Sequence, residues 1–406
     1  MRIIVIGAGI VGLATAWRLQ KDGHDVWVVD KAPAAGQGTS YANGAQLSYS
    51  YVAPLADPSV WKQLPTLLTD PNSPVQFRPG FDLFQYRWLL RFLGACTAQQ
   101  AHETIDRLGA LAALSREILH ASPELMAAQL DWSASGKLVV YSSEKSFAAA
   151  RHHADQQVAS GTNKQVLDRD GCLELEPALG SIGHRLVGGI FAPDDETADA
   201  LLMCRELERL MNEAPRPVQF HYNTTVTGFI RESGIIKGIT TNHGTLEADT
   251  YVLAAGLGSR ALGRWVGLDL PIYPIKGYSL SAAVQNASAA PRVSVTDAAR
   301  KIVIARLGET LRLAGAADIV GESLDIDVRR TDKLIGDALT DFPGAADWQS
   351  ATLWAGLRPA TPTGQPIVGR TRIDNLKLNV GHGALGFTLA LGSAQHVADE
   401  IAGRRH

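Results

Sequence analysis

An α/β fold of two interleaved domains follows from three features of this 406-residue chain. The first thirty residues read as strand, glycine turn, helix and strand. Two later strands, near 250–255 and 376–380, each run into another glycine-rich turn. Between these returns lie long insertions, helical in pattern at first and β-rich later.

Residues 2–6 are a short buried-strand run ending in Gly7-Ala8-Gly9-Ile10-Val11-Gly12. In a βαβ unit Gly7 permits the tight turn, Gly9 lets the backbone approach a pyrophosphate, and Gly12 lets the helix pack on the sheet. The helix that starts at Ile10 and Val11 aims free N–H groups and a partial positive charge at the phosphates. Asp30, with Lys31 beside it, closes the second strand about twenty residues past the loop, where an acid accepts from the adenosine ribose hydroxyls. This is a Rossmann-like dinucleotide-binding unit.

The run 36–46, rich in Gly, Ser, Ala and Asn, reads as a loop whose small residues allow close approach to a ligand. Residues 54–80 are proline-broken. Helical patterns follow at 81–93 and 105–119, a strand at 137–141, part of a helix at 152–158 and a connection at 173–179. The chain is expected to return to the nucleotide domain near Gly188, with Asp194-Asp195-Glu196-Thr197 capping a helix over 201–211. Strand patterns at 218–222, 226–230, 238–241 and 246–248 precede the buried strand 250–255, which meets Gly256-Leu257-Gly258. That turn either completes the first nucleotide site or opens a second dinucleotide fold, but it lacks the third glycine and the strand-acid sequel. Segments 278–282, 302–307 and 310–314 are β-rich, 329–339 is helical, and 376–380 is a strand before Gly381-His382-Gly383-Ala384-Leu385-Gly386 and a helix over 387–401. The expected division is a discontinuous nucleotide domain (1–60, 187–265, 352–406) and an α+β domain around a mixed or antiparallel sheet (61–186, 266–351).

The composition is that of a globular protein, 46% hydrophobic with 39 glycines. A net charge of -3 offers no basic field for nucleic acid. Cys96, Cys172 and Cys204 lack metal-ligand spacing, so no metal is expected and buried free thiols are. No apolar run approaches the roughly twenty residues of a membrane span, and the N-terminus reads as a folded strand, not a cleavable signal.

Motifs along nearly the whole chain resemble the D-amino acid oxidase family of flavoproteins, and within it the bacterial dehydrogenase branch: the N-terminal loop, Thr39-Ser40-Tyr41-Ala42-Asn43, Pro193 to Thr197, Pro271-Ile272-Tyr273-Pro274-Ile275-Lys276-Gly277-Tyr278, Trp354-Ala355-Gly356-Leu357-Arg358-Pro359, Pro366-Ile367-Val368-Gly369, and Gly381 to Phe387. The match thins at 57–80 and 96–134, and Ser48-Tyr49-Ser50-Tyr51 departs from the family's run. The resemblance implies a glutathione-reductase-like FAD-binding domain and oxidative deamination of D-amino acids, with the Cα hydrogen leaving as hydride to flavin N5 and the imino acid hydrolysing to a 2-oxo acid and ammonia. Same-fold oxidation of glycine, sarcosine or D-proline-type amines is the alternative, and a non-catalytic flavin-binding subunit the outsider. Some relatives attach flavin through a cysteine near the place of 357–358. None is present there, so non-covalent FAD is implied.

The resemblance makes Arg358 the carboxylate anchor, since a guanidinium forks onto both oxygens; an interdomain salt bridge is the plainer role. Tyr278 either donates to that carboxylate or shields the flavin, or is core. Tyr51 is a weaker candidate for the site. His382, between glycines, matters more through backbone than through imidazole. Thr39, Ser40, Asn43, Gly44, Ala45, Gln46 and Leu47 would pass the ring's edge, and backbone N–H groups of Gly383, Ala384, Leu385, Gly386 and Phe387 would face N1 and the C2 carbonyl. Val226 would pair with adenine through its main chain or, as a β-branched strand residue, be core, and Ala255, Gly256 and Gly356 would line the cofactor. Electrons would pass to a quinone or another acceptor, or directly to oxygen. Phe81, Phe84, Trp88, Leu89 and Phe92 at helical spacing, with Arg87 and Arg91, form either a membrane- or quinone-facing helix or a core helix. The expected location is cytoplasmic, with peripheral contact at the cytoplasmic face of the inner membrane left open by that helix.

Overall fold

A computed structural model describes residues 1–404 apart from 51–54, 63, 65–69, 71–72 and 160–161. Its first sheet has six strands in the order Ile367–Arg370, Leu376–Val380, Thr250–Leu253, Arg2–Ile6, Asp25–Val29, Gln219–His221. All neighbours run parallel except the 367–370 edge. The central strand is buried on both faces, which is why 2–6 reads as a continuous apolar run. Ile3 and Val5 pack under helices Ile10–Lys21, Ala200–Glu213 and Gly386–Ala402, while Ile4 and Ile6 pack against the three-stranded antiparallel layer of Val226–Glu232, Ile235–Thr241 and Gly244–Leu246. The strand before Gly256 lies directly beside 2–6, so its turn completes this sheet's edge of strand ends and does not open a second dinucleotide fold.

The second sheet has nine strands. Along it run Thr352–Ala360, Tyr273–Ala283, Thr310–Ile319, Ile302–Leu307, Ser294–Asp297, Lys137–Tyr141, Gly188–Ala192 and Gln165–Asp168, with Val75–Phe77 paired to 310–319. Two strands thus sit across the expected boundaries. Residues 188–192 pair with 137–141 and 165–168, and 352–360 pairs with 273–283 along its length. Strand pairing is non-local, and a linear pattern does not show which sheet a strand joins. Helix Val328–Asp341 covers one face of this sheet through Leu334 and Ala338.

Local differences have local causes. The helix at 200–213 is capped by Asp199, whose Oδ1 accepts from Leu201 and Leu202 N–H, while Glu196–Thr197 forms a two-residue strand with Gln46–Leu47. The 173–179 connection holds the end of helix Arg169–Leu175 and the start of a 3-10 turn over Pro177–Arg185. In helix Leu83–Ala95, Phe84, Trp88 and Phe92 are buried against Tyr273, Ile275 and Ala360, and Trp88 Nε1 donates to the Ala360 carbonyl at 3.0 Å. That stripe is core. Phe81, Leu83, Tyr86 and Leu90 form a separate exposed apolar surface.

Candidate functional site

The glycines at the strand ends fall into two kinds. Gly7, at φ +119°, and Gly12 serve packing: an added Cβ would lie 2.4 Å from the Ala254 carbonyl oxygen and 1.9 Å from that of Gly7. Gly9, Gly256 and Gly383 instead face open space. A Cβ would meet nothing nearer than Ser40 Oγ at 3.6 Å, nothing within 4 Å, and Ala360 Cα at 4.0 Å respectively. A cleft walled by backbone along the carboxyl ends of parallel strands fits an extended dinucleotide.

Asp30 is held at the rim of this cleft. Its carboxylate accepts from Ala8 N–H at 2.6 Å and Ala32 N–H at 2.8 Å, which leaves lone pairs for ribose hydroxyls. Lys31 is exposed next to it. Ser40 is buried and accepts from Ile10 N–H at 3.1 Å, so it caps the first helix from thirty residues away. Thr39 donates to the Leu357 carbonyl at 2.7 Å, Asn43 Oδ1 accepts from Ala45 N–H, and Ser279 donates to the Ala42 carbonyl at 2.8 Å. These bonds lay the 39–45 loop along one face of the large sheet. Ala45, at φ +58°, turns its methyl into Ala305 and Leu307, so only backbone is left for a ligand there. A Cβ on Gly44 would press Val303. Gln46 is tied to Ser294 and Thr296, and Leu47 and Phe387 are buried in the core. Val226 is buried at the start of its strand.

Arg358 lies on the same sheet face as this loop. Its register partner is Ile275, and Gly277 and Gly356 are paired two residues on. The guanidinium lies over Gly277, where a Cβ would come within 2.4 Å of it, and the Trp354 indole lies over Gly356, where a Cβ would come within 2.1 Å. The glycine pair is therefore a floor between a cation and an aromatic ring. Arg358 donates once, at 2.8 Å, to the carbonyl of Ala316, a left-handed residue (φ +62°) at an irregularity in the pairing of 273–283 with 310–319. Among the described residues no carboxylate lies within salt-bridge distance of it, and burial pushes its pKa down, opposed by Asp318. Among the described residues this arginine makes no interdomain salt bridge.

Tyr278 is on the other side. Side chains alternate along a strand, so one position beyond Gly277 it points into the core with Leu280 and Leu334, and burial together with Asp318 pushes its hydroxyl up to about 12. It is not brought together with Arg358. Tyr51 lies outside the described residues. His382 is buried, bonded to Ser393 and pushed down to about 3 by burial, hence neutral. Its neighbours Gly383–Leu385 form a 3-10 turn leading into the terminal helix, and an isolated bridge from His382 to Ala360 sets that helix start beside the Arg358 strand. Trp354 and Gly277 lie in motifs of the sequence that gave them no role, and Ala316 lies in none; sheet register brings all three beside Arg358. Among the described residues no group of three or more His, Cys, Asp or Glu side chains could hold a metal, and no helix is long and apolar enough to cross a membrane.

Known proteins share this chain's sequence and fold. The chain is 45% identical to D-amino acid dehydrogenase 2 of Ralstonia nicotianae over all of this chain and 97% of that one. It is 44% identical to D-amino acid dehydrogenase 2 of Pseudomonas aeruginosa over all of this chain and 95% of that one. Glycine oxidase of Bacillus cereus shares the fold, with a TM-score of 0.77 at 20% identity, covering 100% of this chain and 96% of that one. The family model of FAD dependent oxidoreductases, DAO, matches residues 2–400, and the chain belongs to that family.

Proposed function

We propose that the protein is an FAD-dependent D-amino acid dehydrogenase that oxidatively deaminates D-amino acids to 2-oxo acids and ammonia. The observation that carries this reading is Arg358: a fork-shaped cation with no carboxylate partner among the described residues, over a glycine floor, on the face where the cofactor loop lies. It would bind the substrate carboxylate bidentately and fix the direction of the Cα–H bond. Bound FAD supplies the hydride acceptor. The N–H groups of 383–387 would stabilise charge on the flavin's pyrimidine end, and Trp354 would bound the recess beside the substrate. His382, neutral and bonded, is no base, and an amine that arrives neutral needs none. FAD would be held non-covalently, through Gly9, Asp30, the 39–47 loop, Val226, Gly256 and the 383–387 turn. The six-stranded sheet with its flanking layers forms the FAD domain in this reading, and the nine-stranded sheet the substrate domain.

Electrons would leave to a membrane quinone. Phe81, Leu83, Tyr86 and Leu90 are exposed beside an open recess of about 380 Å³ lined by Phe81, Asp82, Arg260, Tyr273 and Glu322, a surface suited to peripheral contact with a bilayer. Anaerobic mixing of the purified yellow protein with D-amino acids, their L-enantiomers, glycine, sarcosine and D-proline tests the reaction. Bleaching by D-enantiomers supports it, bleaching only by glycine or secondary amines transfers the protein to that chemistry, and no bleaching ends the enzymatic reading.

A further inference from the structure

Lys137 is the buried charge that the proposed reaction leaves unused. It opens the 137–141 strand of the large sheet, is 5% exposed, and donates through its ammonium to Ser48 Oγ at 2.9 Å. Taking an ammonium out of water costs several kcal/mol before compensation, and perturbed buried charges cluster at functional sites. Asp195 favours the charged form, but burial outweighs it and Lys164 adds to the push, bringing Lys137 down to about 8. It remains a cation at neutral pH. One Asp195 oxygen accepts from Ser50 N–H at 2.7 Å, the other has no hydrogen-bond partner among the described residues, and burial raises its pKa, opposed by Lys137.

Ser48 connects this cation to the cofactor segments. It directly follows Gln46–Leu47, and its N–H donates to Thr388 Oγ1 at 3.1 Å in the first turn of the terminal helix. The Thr388 hydroxyl in turn reaches the Gln46 carbonyl at 3.4 Å. The 43–47 loop, the 383–388 helix start and the ammonium therefore form one hydrogen-bonded unit, drawn from three distant parts of the chain.

We propose that Lys137 is an electrostatic tuning residue for the flavin: its buried positive charge, held against the cofactor loop by Ser48, favours the added electron density of the reduced ring and raises its reduction potential. The proposal rests on the reading that 43–47 and 383–387 hold the flavin. A fixed cation acts over several ångströms in a low-dielectric interior, so direct contact with the ring is not required.

The test is the two-electron reduction equilibrium of the FAD-loaded protein against a reference dye, driven by a chemical reductant and not by substrate, in wild type, Lys137→Met, Lys137→Gln and Lys137→Arg. The neutral variants are expected to favour the oxidised form at least tenfold more than wild type, about 30 mV, and Lys137→Arg to stay within threefold of wild type. A merely structural lysine would change FAD content or thermal midpoint and leave this equilibrium in place. A wild-type equilibrium in any neutral variant that retains FAD overturns the proposal. Because substrate plays no part in the measurement, the assignment of the reaction can fail independently.

Discussion

Replacing Arg358 separates a substrate anchor from a structural cation. The guanidinium makes one hydrogen bond, to a neutral backbone carbonyl, and no ion pair among the described residues. Arg358→Leu therefore breaks no salt bridge among the described residues, and it removes a charge whose burial is opposed by Asp318. Folding stability is expected to change by less than about 1 kcal/mol, since a partly desolvated, unpaired charge contributes little to it. Substrate binding is a different matter. Two charge-assisted hydrogen bonds from the fork, at about 1.5–3 kcal/mol each, sum to about 3–5 kcal/mol after incomplete additivity. That corresponds to a loss of about 10²–10⁴ in the ratio of flavin reduction rate to substrate dissociation constant. Arg358→Lys keeps the charge but loses the fork, and is expected to fall between. Anaerobic stopped-flow reduction by D-alanine gives both constants, and differential scanning fluorimetry with the flavin absorbance gives stability and cofactor content. Unchanged reduction kinetics in Arg358→Leu, or a loss that merely tracks lost FAD, would refute the anchor.

Three further outcomes follow from contacts in the fold. Gly12→Ala places a methyl 1.9 Å from the Gly7 carbonyl oxygen, and is expected to separate the first helix from the first strand and yield protein without yellow colour; full FAD content after purification would count against that packing role. Trp88→Ala removes a side chain only 1% exposed together with its bond to the Ala360 carbonyl, and is expected to cost about 3–5 kcal/mol, read as a lower midpoint in urea. His382 has its pKa lowered by burial from 6.5 to about 3, so between these values the unfolded chain binds the extra proton and stability falls as pH drops, by up to about 1.4 kcal/mol per unit. His382→Asn is expected to flatten that acid limb between pH 6.5 and 3, measured as unfolding free energy against pH, and an unaltered slope would show that other groups set it.

Much of the nucleotide half was legible because its signals are local. Strand, glycine turn, helix, strand and acid lie within thirty residues, and each glycine's task follows from the space around its own Cα. The same locality made the terminal strand, turn and helix readable, along with helical patterns at 81–93 and 105–119 that fall largely within helices Leu83–Ala95 and Ala98–His120. The face that carries Arg358 was less legible. Arg358 stood out through its motif and Tyr278 was a second candidate, and only the alternation of side chains in a paired strand sends one toward the 39–45 loop and the other into the core. Trp354 beside Arg358 depends on Gly277 facing Gly356 across two strands nearly eighty residues apart.

By itself the sequence determined the cofactor class and singled out Arg358 as a candidate anchor, because both rest on short-range patterns of residue type. The tertiary structure alone decided sheet membership of 188–192 and 352–360, the burial of Phe84, Trp88 and Phe92 against an exposed Phe81 and Leu83, and the placing of Lys137 behind Ser48. Those outcomes depend on strand register and on which surfaces lose water when distant segments meet, and neither quantity is carried by any one stretch of chain.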